Sequence, residues 1–161
     1  DTTLESALLE LLKDRSETLS LAESMTGGLI ASRLCAIPGA STVLVGGAVV
    51  YSSKLKKELL GISEKTLQLN GPTSEAVAME MASSLQIKSE STYSIAITGN
   101  AGPELDSHSR ELLGEGHIAI AGKAWGTSKK FHLHGSRLDI QTRSSALALD
   151  LLRREILNRN P

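Results

Sequence analysis

An α/β fold is predicted: one three-layer α/β/α domain built on a mixed sheet of about five strands. Three observations predict it. Helical and strand-like periodicities alternate along the chain, and several strand-like runs end in glycine-containing turns. No repeat, low-complexity tract or linker interrupts the 161 residues, a length suited to one hydrophobic core. The domain is read as residues 1–161.

The elements follow in order. Thr2 with Glu5 reads as a capping box, and Leu4, Leu8, Leu11 and Leu12 recur behind it at helical spacing. Residues 18–22 are short and apolar, a strand, and Thr26-Gly27-Gly28 turns the chain into a helix carrying Leu29, Ile30, Arg33 and Leu34. Ile37-Pro38-Gly39-Ala40 breaks that helix. Residues 43–50 are rich in β-branched side chains with Gly46-Gly47 inside, which predicts a buried strand with a bend or a close backbone approach at the glycines. Ser52 and Ser53 are placed to cap a helix through Leu60 that stops at Gly61. Asn70-Gly71-Pro72-Thr73 is a turn, with Thr73 as the cap of a helix bearing Val77, Met81 and Leu85. Residues 93–98 read as a strand, and residues 99–116 as a long polar loop of the kind that is commonly functional. Residues 117–121 and 130–134 are expected to pair antiparallel around Gly126-Thr127. Residues 138–157 form the closing helix.

Composition narrows the function. Hydrophobic residues make up 40% and charged residues 22%, which excludes disordered and fibrous classes. A net charge of −1 provides no basic field, so no nucleic-acid partner is expected. No run reaches the length of a membrane span and residues 1–15 are amphipathic rather than signal-like, so no membrane association is expected. Cys35 stands alone, which rules out an intramolecular disulfide and predicts a reducing, cytoplasmic setting. The chain starts at Asp1 rather than methionine, consistent with processing or with excision from a longer protein. Tyr51, Tyr93, Trp125 and Phe131 are the only aromatics, so the core is aliphatic and a tyrosine in a polar turn stands out.

Chemistry is sought where strands run into glycine-rich turns, because such turns lie at the carboxyl edge of a sheet and aim N–H groups outward. Three segments qualify: Ala22-Glu23-Ser24-Met25-Thr26-Gly27-Gly28, Gly46-Gly47 through Tyr51 to Lys56, and Thr98-Gly99-Asn100-Ala101-Gly102-Pro103. A hydroxyl on a tight turn before a helix is a nucleophile position, although Ser24 and Thr26 taken alone read first as helix caps. Lys56 is a base if desolvated and a solvated lysine otherwise. Ser53-Lys54-Leu55-Lys56 spells an S-x-x-K motif without its accompanying signatures. Gly114-Glu115-Gly116-His117-Ile118-Ala119 imitates a dinucleotide fingerprint but leads into a strand; neither match is retained. His132 and His134 share a strand face without a third ligand at recognisable spacing, so no metal is expected.

Together the three turns, with Ile37-Pro38-Gly39-Ala40-Ser41 and Leu59-Leu60-Gly61 between them, resemble the C-terminal domain family of the competence/damage-inducible CinA proteins, the nicotinamide-nucleotide amidases. The similarity runs in order over roughly residues 4–152. It implies hydrolysis of the carboxamide of nicotinamide mononucleotide to nicotinate mononucleotide and ammonia, with no metal or cofactor. Ser24 matches the family nucleophile, and Tyr51 and Lys56 match its partners. Thr26, Gly27, Gly28, Gly47, Thr98, Gly99, Ala101, Gly102 and Arg137 are the expected substrate contacts, and a homo-oligomer is expected. The alternative is a weakly active or catalytically silent nucleotide-binding or assembly domain of a larger CinA-like protein.

The chain also departs from the family pattern. Met25 stands where cysteine is common. Residues 104–116 are acidic and lack the glycine-rich loop ending in P-V-G-T. Arg137 matches the first of two arginines, but Gln141 takes the place of the second, with Arg143 two residues on. These departures predict weaker selection for the phosphorylated substrate, with Arg137 as the better phosphate ligand.

Overall fold

Leucines at helical spacing make α1 (Leu4–Asp14) amphipathic, and Leu8, Leu9 and Leu12 are buried. The cap lies one residue later than expected. Thr3 accepts from the Ser6 N–H and Ser6 reciprocates, so Thr2 and Glu5 do not form the box. The computed structural model describes residues 2–104 and 112–159. In them α1 is followed by β1 (Leu19–Glu23), α2 (Leu29–Cys35), a 3-10 turn (Ala40–Thr42), β2 (Leu44–Val49), α3 (Ser53–Leu60), α4 (Glu64–Asn70), α5 (Glu75–Ser89), β3 (Tyr93–Gly99), β4 (Glu115–Gly122), β5 (Trp125–His132) and α6 (Arg137–Arg159).

The strands form one five-stranded mixed sheet among the described residues, in the order β2-β1-β3-β4-β5. β1 pairs parallel with β2 and β3; β3, β4 and β5 pair antiparallel in succession. Side chains alternate between the two faces. Leu21, Ile95, Ile97, Ile118 and Ile120 join α1, α2 and α6 in one core. Ala22, Ala96, Ala119 and Ala121 face α5 in a second, and the small side chains let that helix lie close to the sheet. The predicted three-layer α/β/α architecture is the observed one.

This topology determines where a site belongs. From β1 the chain crosses one face through α2 to β2, then returns over the other face through α3, α4 and α5 to β3. The direction of winding reverses at β1, and the crevice at the carboxyl ends of the parallel strands opens at that reversal. Ser24, the segment after Val49 and Asn100 all lie on that edge.

Three further expectations differ from the structure. Residues 43–50 do not form a buried strand. β2 is an edge strand whose Val45 is 53% exposed, because the sheet ends there and helices cover it only partly. The close backbone approach is present: a Cβ on Gly47 would lie 2.2 Å from the Leu21 carbonyl oxygen across the β1–β2 pairing. The β4–β5 turn is made by Lys123 and Ala124, not by Gly126-Thr127, which are paired with Ala121 and Ile120. Ser74, not Thr73, caps α5 by accepting from the Val77 N–H, and Thr73 is left to face the strand ends. The sequence carries no signal for the short helix α4, since none of its residues is buried and it has no apolar stripe to read. Ser52 caps α3 and Gly61 ends it in the left-handed conformation, as the sequence predicts.

Candidate active site

Ser24 follows the last residue of β1, and its N–H donates to the Ile97 carbonyl, extending the pairing with β3 by one rung. The chain then turns sharply, with Gly27 N–H donating to the Ser24 carbonyl at 3.0 Å. The Ser24 hydroxyl does not cap α2. The N-cap residue is Gly28, without a side-chain acceptor, and Ser24 Oγ instead accepts from Lys56 Nζ at 3.0 Å. Lys56 reaches it from α3, and its Nζ also donates to the backbone carbonyl of Tyr51 at 3.0 Å. Ser24 is 5% and Lys56 2% exposed, so the pair is withdrawn from bulk water.

Both stand at the floor of a cleft of about 580 Å³ lined also by Met25, Tyr51, Thr73, Asn100 and Glu104. Arg137, from the start of α6, spans the cleft mouth. Its Nη1 donates to the Gly102 carbonyl at 2.7 Å and its Nη2 to the Tyr51 hydroxyl at 2.9 Å. Tyr51 is 61% exposed, and it is the backbone carbonyl, not the hydroxyl, that contacts Lys56. Ser136 and Asp139 hold the first turn of α6 by a reciprocal pair of hydrogen bonds, which fixes the root of Arg137.

The expected contact residues divide into two groups. Gly99, Ala101, Gly102 and Arg137 line the cleft with Ser24, Tyr51 and Lys56. Gly99 is required there: a Cβ would lie 2.6 Å from the Glu115 carbonyl oxygen and 3.0 Å from Met25 Sδ. Thr26, Gly27, Gly28, Gly47 and Thr98 do not line it. The Thr26 hydroxyl donates to the Glu23 carboxylate, and that carboxylate also accepts from the Ile30 and Ala31 N–H groups. With the Leu29 N–H on the Thr26 carbonyl, the start of α2 is already occupied and does not offer these amides to an anion. Gly47 is consumed by strand packing, and the Thr98 hydroxyl donates to the Pro72 carbonyl.

Gln141 and Arg143 also point away from a phosphate role. Gln141 Nε2 donates to the Met25 carbonyl at 2.8 Å, and Arg143 donates to the His134 carbonyl at 3.0 Å. Asn100 lines the cleft from within the expected 98–102 turn, while Thr73 and Glu104 line it outside the expected contacts; the position of Thr73 after Pro72 carries no signal beyond a helix cap. The acidic positions Asp106 and Glu111 lie outside the described residues. The His132 and His134 rings lie tilted to each other with centroids 4.7 Å apart, and no group of three metal-ligating side chains occurs among the described residues. No described helix is long and apolar enough to cross a membrane.

The profile of the CinA C-terminal domain matches residues 1–156. A CinA-like protein of Frankia casuarinae is 40% identical over 154 residues, covering 96% of this chain and 35% of the relative. One from Thermotoga neapolitana is 37% identical over 166 residues, covering 99% of this chain and 38% of the relative. The chain therefore spans little more than a third of the length of these relatives. The crystal structure of the competence damage-inducible protein A from Klebsiella pneumoniae superposes with a TM-score of 0.92 at 27% identity, covering 96% of this chain and 95% of that one.

Proposed function

The chain belongs to the CinA C-terminal domain family, and from that membership we propose that it is an amidohydrolase converting nicotinamide mononucleotide to nicotinate mononucleotide and ammonia. The observation that carries this reading is the buried 3.0 Å contact between Ser24 Oγ and Lys56 Nζ at the floor of an open cleft.

Amide hydrolysis needs an activated nucleophile and a proton for the departing nitrogen. Removal from water penalises the ammonium form of a lysine, and a neutral Lys56 amine is at the right distance to take the Ser24 proton. Ser24 Oγ then bonds to the carboxamide carbon. Collapse of the tetrahedral adduct breaks the C–N bond, and the proton held on Lys56 Nζ goes to the leaving ammonia. Water, deprotonated by the same amine, cleaves the resulting ester and returns Ser24. The Tyr51 carbonyl orients the amine throughout. The Tyr51 hydroxyl and Arg137 stand at the cleft mouth, where they are placed to hold the ribose phosphate end of the substrate. This chemistry uses no metal and no cofactor, and self-association is part of the same reading.

A silent binding or assembly domain is the competing reading. It gives no reason for a lysine to be buried against a serine hydroxyl at the floor of a cleft. The purified chain is expected to release ammonia from nicotinamide mononucleotide, and Ser24→Ala to abolish release while leaving the circular dichroism spectrum unchanged. Undiminished turnover by Ser24→Ala would show that the serine is not the nucleophile.

A further inference from the structure

The turn that presents Ser24 is held from outside the helix it precedes. Gly28, at the N-cap of α2, has no side chain to accept from the first N–H groups of that helix, and buried donors left unmet are destabilising. Glu23 supplies the acceptors. Its Oε1 accepts from the Ile30 N–H at 2.9 Å and from the Thr26 hydroxyl at 2.6 Å, and its Oε2 accepts from the Ala31 N–H at 3.0 Å. The residue is 2% exposed and is the last of β1. One carboxylate therefore joins the end of a strand, the tip of the turn and the start of a helix, with Ser24 the next residue along.

We propose that Glu23 is a positioning residue for the nucleophile. By fixing Thr26 and the first amides of α2 relative to β1, its carboxylate sets the rotation of the turn that aims Ser24 Oγ at Lys56 Nζ. Its catalytic consequence rests on the amidase reading; the geometric one does not. The carboxylate form matters because three donors converge on two oxygens. Glutamine would keep one acceptor and turn an NH2 group towards a donor. The negative charge also sits at the positive end of the α2 dipole, where it is favoured.

Thr26→Val tests this with little change in volume, Thr26→Ser restores the hydroxyl, and Glu23→Gln is the stronger perturbation. For each, kcat and KM for ammonia release from nicotinamide mononucleotide are measured with the melting temperature. Crystal structures are determined for wild type and Thr26→Val. We expect Thr26→Val to lower kcat at least tenfold with KM within twofold, Thr26→Ser to recover most of the loss, and folded Glu23→Gln to fall further. In Thr26→Val crystals the Ser24 Oγ to Lys56 Nζ separation should open beyond about 3.5 Å, the limit of a hydrogen bond. A Thr26→Val kcat within twofold of wild type, or an unchanged separation, overturns the positioning role. A wild-type protein that releases no ammonia overturns the amidase reading instead, and the two crystal structures then decide the positioning role on their own.

Discussion

Lys54, Lys56 and Lys57 lie within one turn of α3, yet they meet opposite fates. Lys54 and Lys57 are solvated and pair with Glu58 and Glu64, whereas Lys56 is fully buried against Ser24. At about 100° per residue, positions 54 and 57 share the outer face of the helix and position 56 is turned to the sheet edge. The charged run alone reads as a solvated face, and only the packing of α3 against the end of β1 separates the three. On the amidase reading, the same scale bears on which side chain would meet a substrate phosphate. Arg137 is the guanidinium that lines the cleft, while Gln141 and Arg143 are engaged with the Met25 and His134 carbonyls. Wild type should therefore favour nicotinamide mononucleotide over nicotinamide riboside only modestly. Arg137→Ala should remove most of that preference and bring the kcat/KM ratio of the two substrates close to one, the loss of one charge-assisted contact. A strong preference for the mononucleotide that survives Arg137→Ala would place the phosphate elsewhere.

At the scale of elements, β2 shows how a glycine read as a functional signal can be a packing requirement. Gly46-Gly47 marks a close approach, and the approach is to the neighbouring strand rather than to a ligand, with Gly47 pressed on the Leu21 carbonyl oxygen. A backbone oxygen cannot swing aside as a flexible side chain can. Gly47→Ala is expected to destabilise the fold by about 1–3 kcal/mol. At the sensitivity of a domain of this size, that corresponds to a melting temperature lowered by roughly 2–12 °C. An unshifted melt would mean that β1 and β2 have room to part. The start of α6 is an instance of the opposite kind. Ser136 and Asp139 form a reciprocal cap that sequence inspection passes over, since the apolar pattern begins later, yet it anchors Arg137. The Ser136 backbone N–H holds the Asp139 carboxyl below its ordinary value. The cap is therefore in place above the normal carboxylate range and weakens as pH falls through the lowered value.

At the scale of the whole molecule, α6 closes one face, and its end is tied back to the sheet. The Arg159 guanidinium lies 3.7 Å over the Trp125 ring, and Trp125 meets Tyr93 edge to face with centroids 6.1 Å apart. Two of the chain's few aromatics are thus spent on this junction between β3, β5 and α6. Burial, with the Glu17 carboxylate nearby, pushes the Tyr93 phenol up to about 12. The neutral phenol is the form the fold favours, so between about pH 10 and 12 the unfolded chain releases a proton that the folded chain retains. Stability should fall as pH rises through that window and be unaffected by this group below it. Melting curves of wild type and Tyr93→Phe compared from pH 8 to pH 11 check the sign: the gap between them should narrow at the alkaline end, and a constant gap would refute the linkage.

Alternation of helical and strand patterns, glycine turns after strands and capping residues are local properties, and they were enough to determine the three-layer class, most of the elements and the segments that hold the site. Motif order along the chain pointed to Ser24, Tyr51 and Lys56. Tertiary structure alone decided which atoms of those segments meet. It joined Lys56 to Ser24 across 32 positions of sequence and turned the Tyr51 hydroxyl to Arg137 across 86. It also engaged Thr26 and the first amides of α2 with Glu23, and it left Thr26, Gly27 and Gly28 outside the cleft lining. The reason is physical. Propensity and periodicity report on neighbours a few residues apart, whereas the reversal of winding at β1 brings together groups from β1, α3, the β3 end and α6. Their distances are set by how sheet and helices pack, which no local pattern encodes.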